Sequence, residues 1–220
     1  MSCILCTTRK SRRPCPAAQG DICPQCCAEQ REEKLDCPLS CEFLRESRKH
    51  EKYVEVPKSA TPHPEVKLGE DFLSRNDLLM QFLSVAVRDA ALSTAGATDA
   101  DVREAVDAVI QTLKTADSGL ICETRSANPF AASIQEKINT QIAELKRQIG
   151  ERSAGATLRD KDMLGIMVFI ARVSISLNNG KRKGRSFLAM LLERFPAPKS
   201  SEGQKTPEPA ASPAGLIVGS

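Results

Sequence analysis

Tryptophan is absent from this 220-residue chain, tyrosine occurs once and histidine only twice. His50 stands in the polar stretch SerArgLysHisGluLys and His63 between prolines, and neither belongs to a recognisable catalytic motif. The phosphate-binding pattern GxxxxGK[ST], the His-Glu-x-x-His pair and the strand-turn-helix nucleophile elbow are also missing. Gly180-Lys181-Arg182-Lys183-Gly184-Arg185 resembles a phosphate cradle only in composition, because the spacing and the preceding strand are wrong. The longest apolar stretch, residues 163–177, is interrupted by Arg172, Ser174 and Ser176 and is too short to span a bilayer. Nor does either sign of charge dominate. Lys and Arg total 31 against 28 Asp and Glu, and a net +3 does not drive the chain onto nucleic acid or an anionic membrane. These absences exclude most enzyme classes, a membrane span and bulk electrostatic partnering.

What the chain does have is thiol. Eight of its nine cysteines fall in the first 41 residues: Cys3, Cys6, Cys15, Cys23, Cys26, Cys27, Cys37 and Cys41. No apolar leader precedes them, so a reducing, cytoplasmic location is expected, where such a cluster means metal ligation rather than disulfides. Eight thiolates suit two tetrahedral Zn²⁺ ions, and a full set of sulfur ligands leaves no open coordination position, so the metal is expected to be structural. Iron–sulfur clusters usually take three close cysteines and a remote one. Here the residues come as pairs. Cys23-Pro24-Gln25-Cys26 has the form of a zinc knuckle, and Cys3-x-x-Cys6 supplies a matching pair. Pro38 is expected at the first position of a helix, with Cys37 at its cap and Cys41 one turn on. Adjacent Cys26 and Cys27 point about 100° apart on a helix and should serve different ions. The expected partition is therefore Cys3, Cys6, Cys23 and Cys26 on one ion, with Cys15, Cys27, Cys37 and Cys41 on the other. His50 is an alternative ligand that an all-thiolate set does not need. The ninth thiol, Cys122, stands alone and reads as a small buried apolar residue.

The run CysProAlaAlaGlnGlyAspIleCysProGlnCysCys, followed by Arg31, AspCysProLeuSerCysGluPheLeu and Arg48, resembles an uncharacterised bacterial family of proteins taken to bind zinc. That resemblance implies a helical region carrying a Gly-Leu-Ile/Tyr-x-Glu stretch, here Gly119 to Glu123, and it brings no established activity. The block is more loosely similar to the two-zinc fingers of the HIT and MYND type, but it has no closing His-x-x-x-Cys.

Residues 1–53 form the cysteine-rich block, with few large apolar side chains (Ile4, Leu5, Ile22, Leu35, Leu39, Phe43, Leu44). A core that small cannot offset the entropy of ordering fifty residues, so metal is needed for folding. Residues 54–68, with three prolines, read as a linker. Residues 69–196 read as a bundle of about five helices, and residues 197–220 as a disordered tail. The predicted helices begin at Asp71, with Phe72, Leu78, Leu79, Phe82, Leu83 and Val87 inward; after Thr98 as N-cap; at Asn128-Pro129, ending at Gly150; at Asp160; and near Arg185. Residues 164–173, apolar on nearly every face, should lie at the bundle's centre. The fold class expected is mainly α, a two-zinc module followed by a helical bundle.

Two functional readings follow. The first is a non-enzymatic zinc-binding protein that docks a protein partner. The alternative is a zinc-dependent nucleic-acid regulator, for which Arg9, Lys10, Arg12 and Arg13 and the loop Lys181–Arg185 would supply phosphate contacts. Few aromatics in the block, Phe43 and Tyr53, leave little for base stacking.

Overall fold

A computed structural model describes residues 1–117, 123–152 and 158–196. Cys122, most of the Gly119–Glu123 stretch and the tail at 197–220 lie outside the described residues. The protein is mainly helical.

The cysteine block opens with strand β1 (Arg13–Cys15), which pairs antiparallel with β2 (Gly20–Ile22), Cys15 opposite Gly20. Helix α1 (Pro24–Gln30) follows directly. Its N-cap is Cys23, whose sulfur accepts the Cys26 amide, and Pro24 occupies the first position, where no amide is needed. Helix α2 (Glu42–Arg48) starts later than expected. Cys37 to Ser40 form a turn closed by Cys41 N–H to the Pro38 carbonyl at 3.0 Å, and Cys41 itself is the N-cap. The only large aliphatic side chains fully buried in this block are Ile22 and Leu44, with Leu35 nearly so.

A one-turn helix, α3 (Phe72–Arg75), precedes α4 (Asp77–Leu92). The single helix expected from Asp71 is broken at Asn76, whose side-chain amide donates to the Phe72 carbonyl at 2.9 Å. The break rotates Leu78 to the outside, 82% exposed. The remaining helices are α5 (Asp99–Asp117), α6 (Pro129–Arg152), α7 (Asp160–Ser176) and α8 (Ser186–Arg194). Thr98 caps α5 in a reciprocal box: its N–H and hydroxyl donate to the Asp101 carboxylate at 2.8 and 2.7 Å, and the Asp101 amide returns to the Thr98 hydroxyl. The Asn128 side chain accepts the Phe130 amide and so caps α6. That helix runs through Gly150 to Arg152, since Gly150 does not adopt the left-handed conformation that closes a helix. Helix α7 is buried on nearly every face and packs on α5 and α4. Gly165 on α7 lies under the Phe72 ring, which would stand 2.4 Å from an added Cβ.

Helix α8 carries no cap of its own. Asp99, at the start of α5, reaches across to accept the amides of Phe187 and Leu188 at 2.8 and 3.1 Å. Burial pushes the Asp99 carboxyl up to about 6, against the pull of those two amides. The folded state therefore binds this proton more tightly than the unfolded state does. Its contribution to stability is fully present below about pH 4 and is lost as pH rises through about 6, a change of about 3 kcal/mol. Urea unfolding of wild type and Asp99→Asn at pH 4 and pH 7 should show the wild type losing about that much more stability than the variant across the interval. Equal losses would remove Asp99 as the titrating group.

The segment read as a linker lies along the bundle. Arg172 of α7 donates to the carbonyls of Pro62, His63 and Val66 at 3.1, 2.7 and 2.9 Å. His63 bonds Asp107 at 2.8 Å, and Lys114 bridges His63 and Glu65. Val54 N–H meets the Asn178 carbonyl at 2.7 Å. Replacing Arg172 with Ala leaves three carbonyls without their cation and should destabilise the protein by about 2–3 kcal/mol in urea unfolding. A change under about 0.5 kcal/mol, the range of an ordinary surface substitution, would show that the strap contributes nothing.

Candidate metal centre

The first two cysteines sit on a tight loop. Cys3 N–H bonds the Arg9 carbonyl at 2.8 Å, Thr7 N–H returns to Cys3 O at 2.8 Å, and Thr8 N–H to Cys6 O at 2.6 Å. Thr7 turns this loop through a left-handed conformation, φ 57°. The second two come from the N-terminus of α1. Together they place the sulfurs of Cys3, Cys6, Cys23 and Cys26 within 4.8 Å of one another, with Cys6 Sγ 4.0 Å from Cys23 Sγ. A tetrahedral ion with sulfur bonds of about 2.3 Å needs sulfur–sulfur edges of about 3.8 Å. The donor set fits a soft tetrahedral metal ion, and Cys3, Cys23 and Cys26 are buried while Cys6 is partly exposed.

Electrostatics at this site show why a cation suits it. The Thr8 hydroxyl and the Arg9 amide hold the Cys6 thiol down at about 6. Burial, and then the crowding of Cys23, Cys6 and Cys3, pushes Cys26 up to about 12. Four thiols this close cannot all ionise against one another, whereas a divalent ion favours the thiolate at every position. The Arg9 guanidinium beside Cys23 adds positive charge at the same place.

The other four cysteines lie together in the same block. Cys15, Cys27, Cys37 and Cys41 pack around Ile22, Leu35 and Leu44. Cys37 is pushed up by burial and by its neighbours Cys15 and Cys41, while the Glu32 amide donates to it. Cys27 Sγ accepts two guanidinium N–H groups, from Arg13 and Arg31, each at 3.4 Å. Arg13 also lies over the Phe43 ring, 4.7 Å from its centroid. Among the described residues, these sulfurs do not reach the mutual 4.8 Å separation of the first group. His50, exposed past the end of α2, is outside the four-sulfur cluster.

The loop before α8 faces the cysteine block. Lys183 N–H bonds the Glu32 carbonyl at 2.7 Å, and Lys181 lies 3.9 Å from Glu33. Arg185 donates to the carbonyls of Cys37 and Ala97 at 3.1 and 2.8 Å and pairs with Asp36 at 2.6 Å. At the centre is Glu32, buried and in a left-handed conformation, φ 55°. One carboxylate oxygen accepts from Arg48 and from the Arg185 amide at 3.1 and 3.0 Å, and the other accepts from Asn179 at 3.0 Å. Glu32 and Arg185 carry no marker in the sequence. Arg31 does carry one, since it stands four residues after Cys27, where a helix places side chains one above the other.

A groove of 660 Å³ opens where the block meets the bundle, lined by Leu39, Tyr53, Leu177, Met190 and Leu192, with Arg45 at its edge. No helix among the described residues is long and apolar enough to cross a membrane. No protein-family model, no curated protein and no solved structure matches the chain.

Proposed function

We propose that this is a non-enzymatic zinc protein, whose metal-folded block and helical bundle together present a docking surface for another protein in a reducing, cytoplasmic setting. The observation that carries it is the sulfur tetrahedron of Cys3, Cys6, Cys23 and Cys26. Zn²⁺ is the metal because it favours four thiolates without redox chemistry, and a filled coordination shell has no place for substrate. The cysteine pattern's resemblance to bacterial proteins taken to bind zinc accords with this reading. Two ions per chain are expected, the second on the remaining four thiols. The partner surface is the groove between α2 and α8, where Arg45 borders an apolar floor and suits an apolar segment flanked by acids.

The nucleic-acid alternative has less to stand on. Lys181, Lys183 and Arg185 are engaged with the block, so the loop expected to meet phosphates faces protein. Arg9, Lys10 and Arg12 remain exposed on the block, too few for strong phosphate binding at physiological salt.

Elemental analysis of protein from a zinc-replete host tests the metal. Iron with visible absorbance would overturn zinc. Affinity capture with the zinc-loaded protein, the chelated protein and Met190→Asp tests the surface. One acidic partner should be recovered by the first and lost by the other two. Recovery unchanged by Met190→Asp places the partner elsewhere, and salt-sensitive capture of random DNA would favour the alternative.

A further inference from the structure

Two of the three chain segments that carry sulfurs of the second thiol group also carry contacts to the loop before α8. Segment 27–32 holds Cys27 and, five residues on, Glu32, which binds Lys183, Arg185 and Asn179. Segment 36–41 holds Cys37 and Cys41, and in it Asp36 and the Cys37 carbonyl both bind Arg185. Leu39, between those two cysteines, packs against the core of the bundle. We propose that Cys15, Cys27, Cys37 and Cys41 hold a second thiophilic divalent ion, and that this ion fastens the cysteine block to the helical bundle. The proposal rests on the two-ion reading above and adds what the second ion controls.

Three observations support it. Cys27 and Cys37 are buried, Cys15 and Cys41 pack half-buried against the same cluster, and the block has too few aliphatic side chains to hold segments 27–32 and 36–41 together unaided. Four thiolates on a divalent ion leave a net charge of about −2, and Arg13 and Arg31 already donate to the Cys27 sulfur, where that charge would fall. The loop's acceptors, the Glu32 carboxylate and the Glu32 and Cys37 carbonyls, lie on both segments and converge only when the segments are side by side. An ion that fixes the segments favours docking. By linkage, docking must then favour the ion by the same factor.

That reciprocity gives the test. The full chain, reduced and metal-free, is titrated with Zn²⁺ against a chromophoric chelator, with the ions counted by native mass spectrometry. Wild type should bind two ions. Arg185→Ala touches no thiol, and it should weaken the second ion by about 5- to 150-fold while leaving the first unchanged. Hydrogen exchange at Lys183 and Arg185 in wild type should slow on binding of the second ion and not of the first. Should Arg185→Ala lose its helicity, Asn179→Ala removes a side-chain contact to Glu32 instead and should move the second ion in the same direction. A wild type that holds one ion overturns the two-ion reading itself. Two ions bound equally by wild type and variant, with exchange at Lys183 indifferent to the second, overturn the coupling and leave the two-ion reading standing.

Discussion

Cys23→Ser is expected to empty the four-sulfur site and unfold residues 1–53, while the bundle keeps most of its helix. Cys23 has two tasks at one position: it is a member of the sulfur cluster and the N-cap of α1. Serine preserves the cap, since its hydroxyl accepts a backbone amide as readily. The loss therefore isolates the metal. Structural zinc contributes about 10–16 kcal/mol of binding free energy in zinc-finger peptides, far beyond what Ile22, Leu35 and Leu44 can supply by burial. Elemental analysis should show at least one ion fewer, and amide exchange at Cys3, Thr7 and Cys27 should approach that of an unfolded chain. Protected amides in a metal-free variant would mean that the block folds on its apolar contacts alone.

Glu32→Ala should have the next largest effect. The carboxylate is 1% exposed and accepts from three groups, Arg48, Asn179 and the Arg185 amide. Removing it leaves the Arg48 guanidinium without a counter-charge, held by the Arg185 carbonyl alone, and breaking a buried ion pair from one side costs about 3–5 kcal/mol. The left-handed backbone at this position contributes nothing to the difference, because both residues carry a Cβ and strain does not separate them. Denaturant unfolding followed by circular dichroism should show the midpoint falling by the corresponding amount. A loss under about 1 kcal/mol would mean that water reaches Arg48 and Asn179 and replaces the carboxylate.

The helices were legible where the chain carries their start signals. Thr98 with Asp101, and Asn128 with Pro129, fix the starts of α5 and α6 by local hydrogen bonds between near neighbours. The Cys3, Cys6, Cys23 and Cys26 group was legible for the same reason, since two short-range pairs suffice to define a tetrahedron. Other features were not local. Asp99 as the cap of α8, Arg172 as the anchor of residues 62–66, and Glu32 as the hub beside the cysteines each act across a long stretch of sequence. No periodicity or spacing encodes such partners. Basic loop 181–185 shows the cost of that blindness. Its composition suggested a solvent-facing or phosphate-facing turn, but the acids and carbonyls that neutralise it come from a block some 150 positions earlier. The Asn76 break was also invisible, because one side-chain bond to Phe72 outweighed an apolar pattern that reads straight through.

The position of that docking loop has a consequence for synthesis. Glu32 leaves the ribosome long before Asn179 and Arg185 exist to bind it. From the end of the cysteine block to Arg185 there are roughly 130 residues, or roughly 7–26 s of translation at about 5–20 residues per second. Throughout that interval the Glu32 carboxylate lacks its partners from the loop before α8. Assembly of the two parts is thus the closing event of folding, and the metal loading proposed above has those seconds in which to precede it. On the coupling proposed above, a shortage of metal during those seconds would be recorded in the finished molecule as an undocked block.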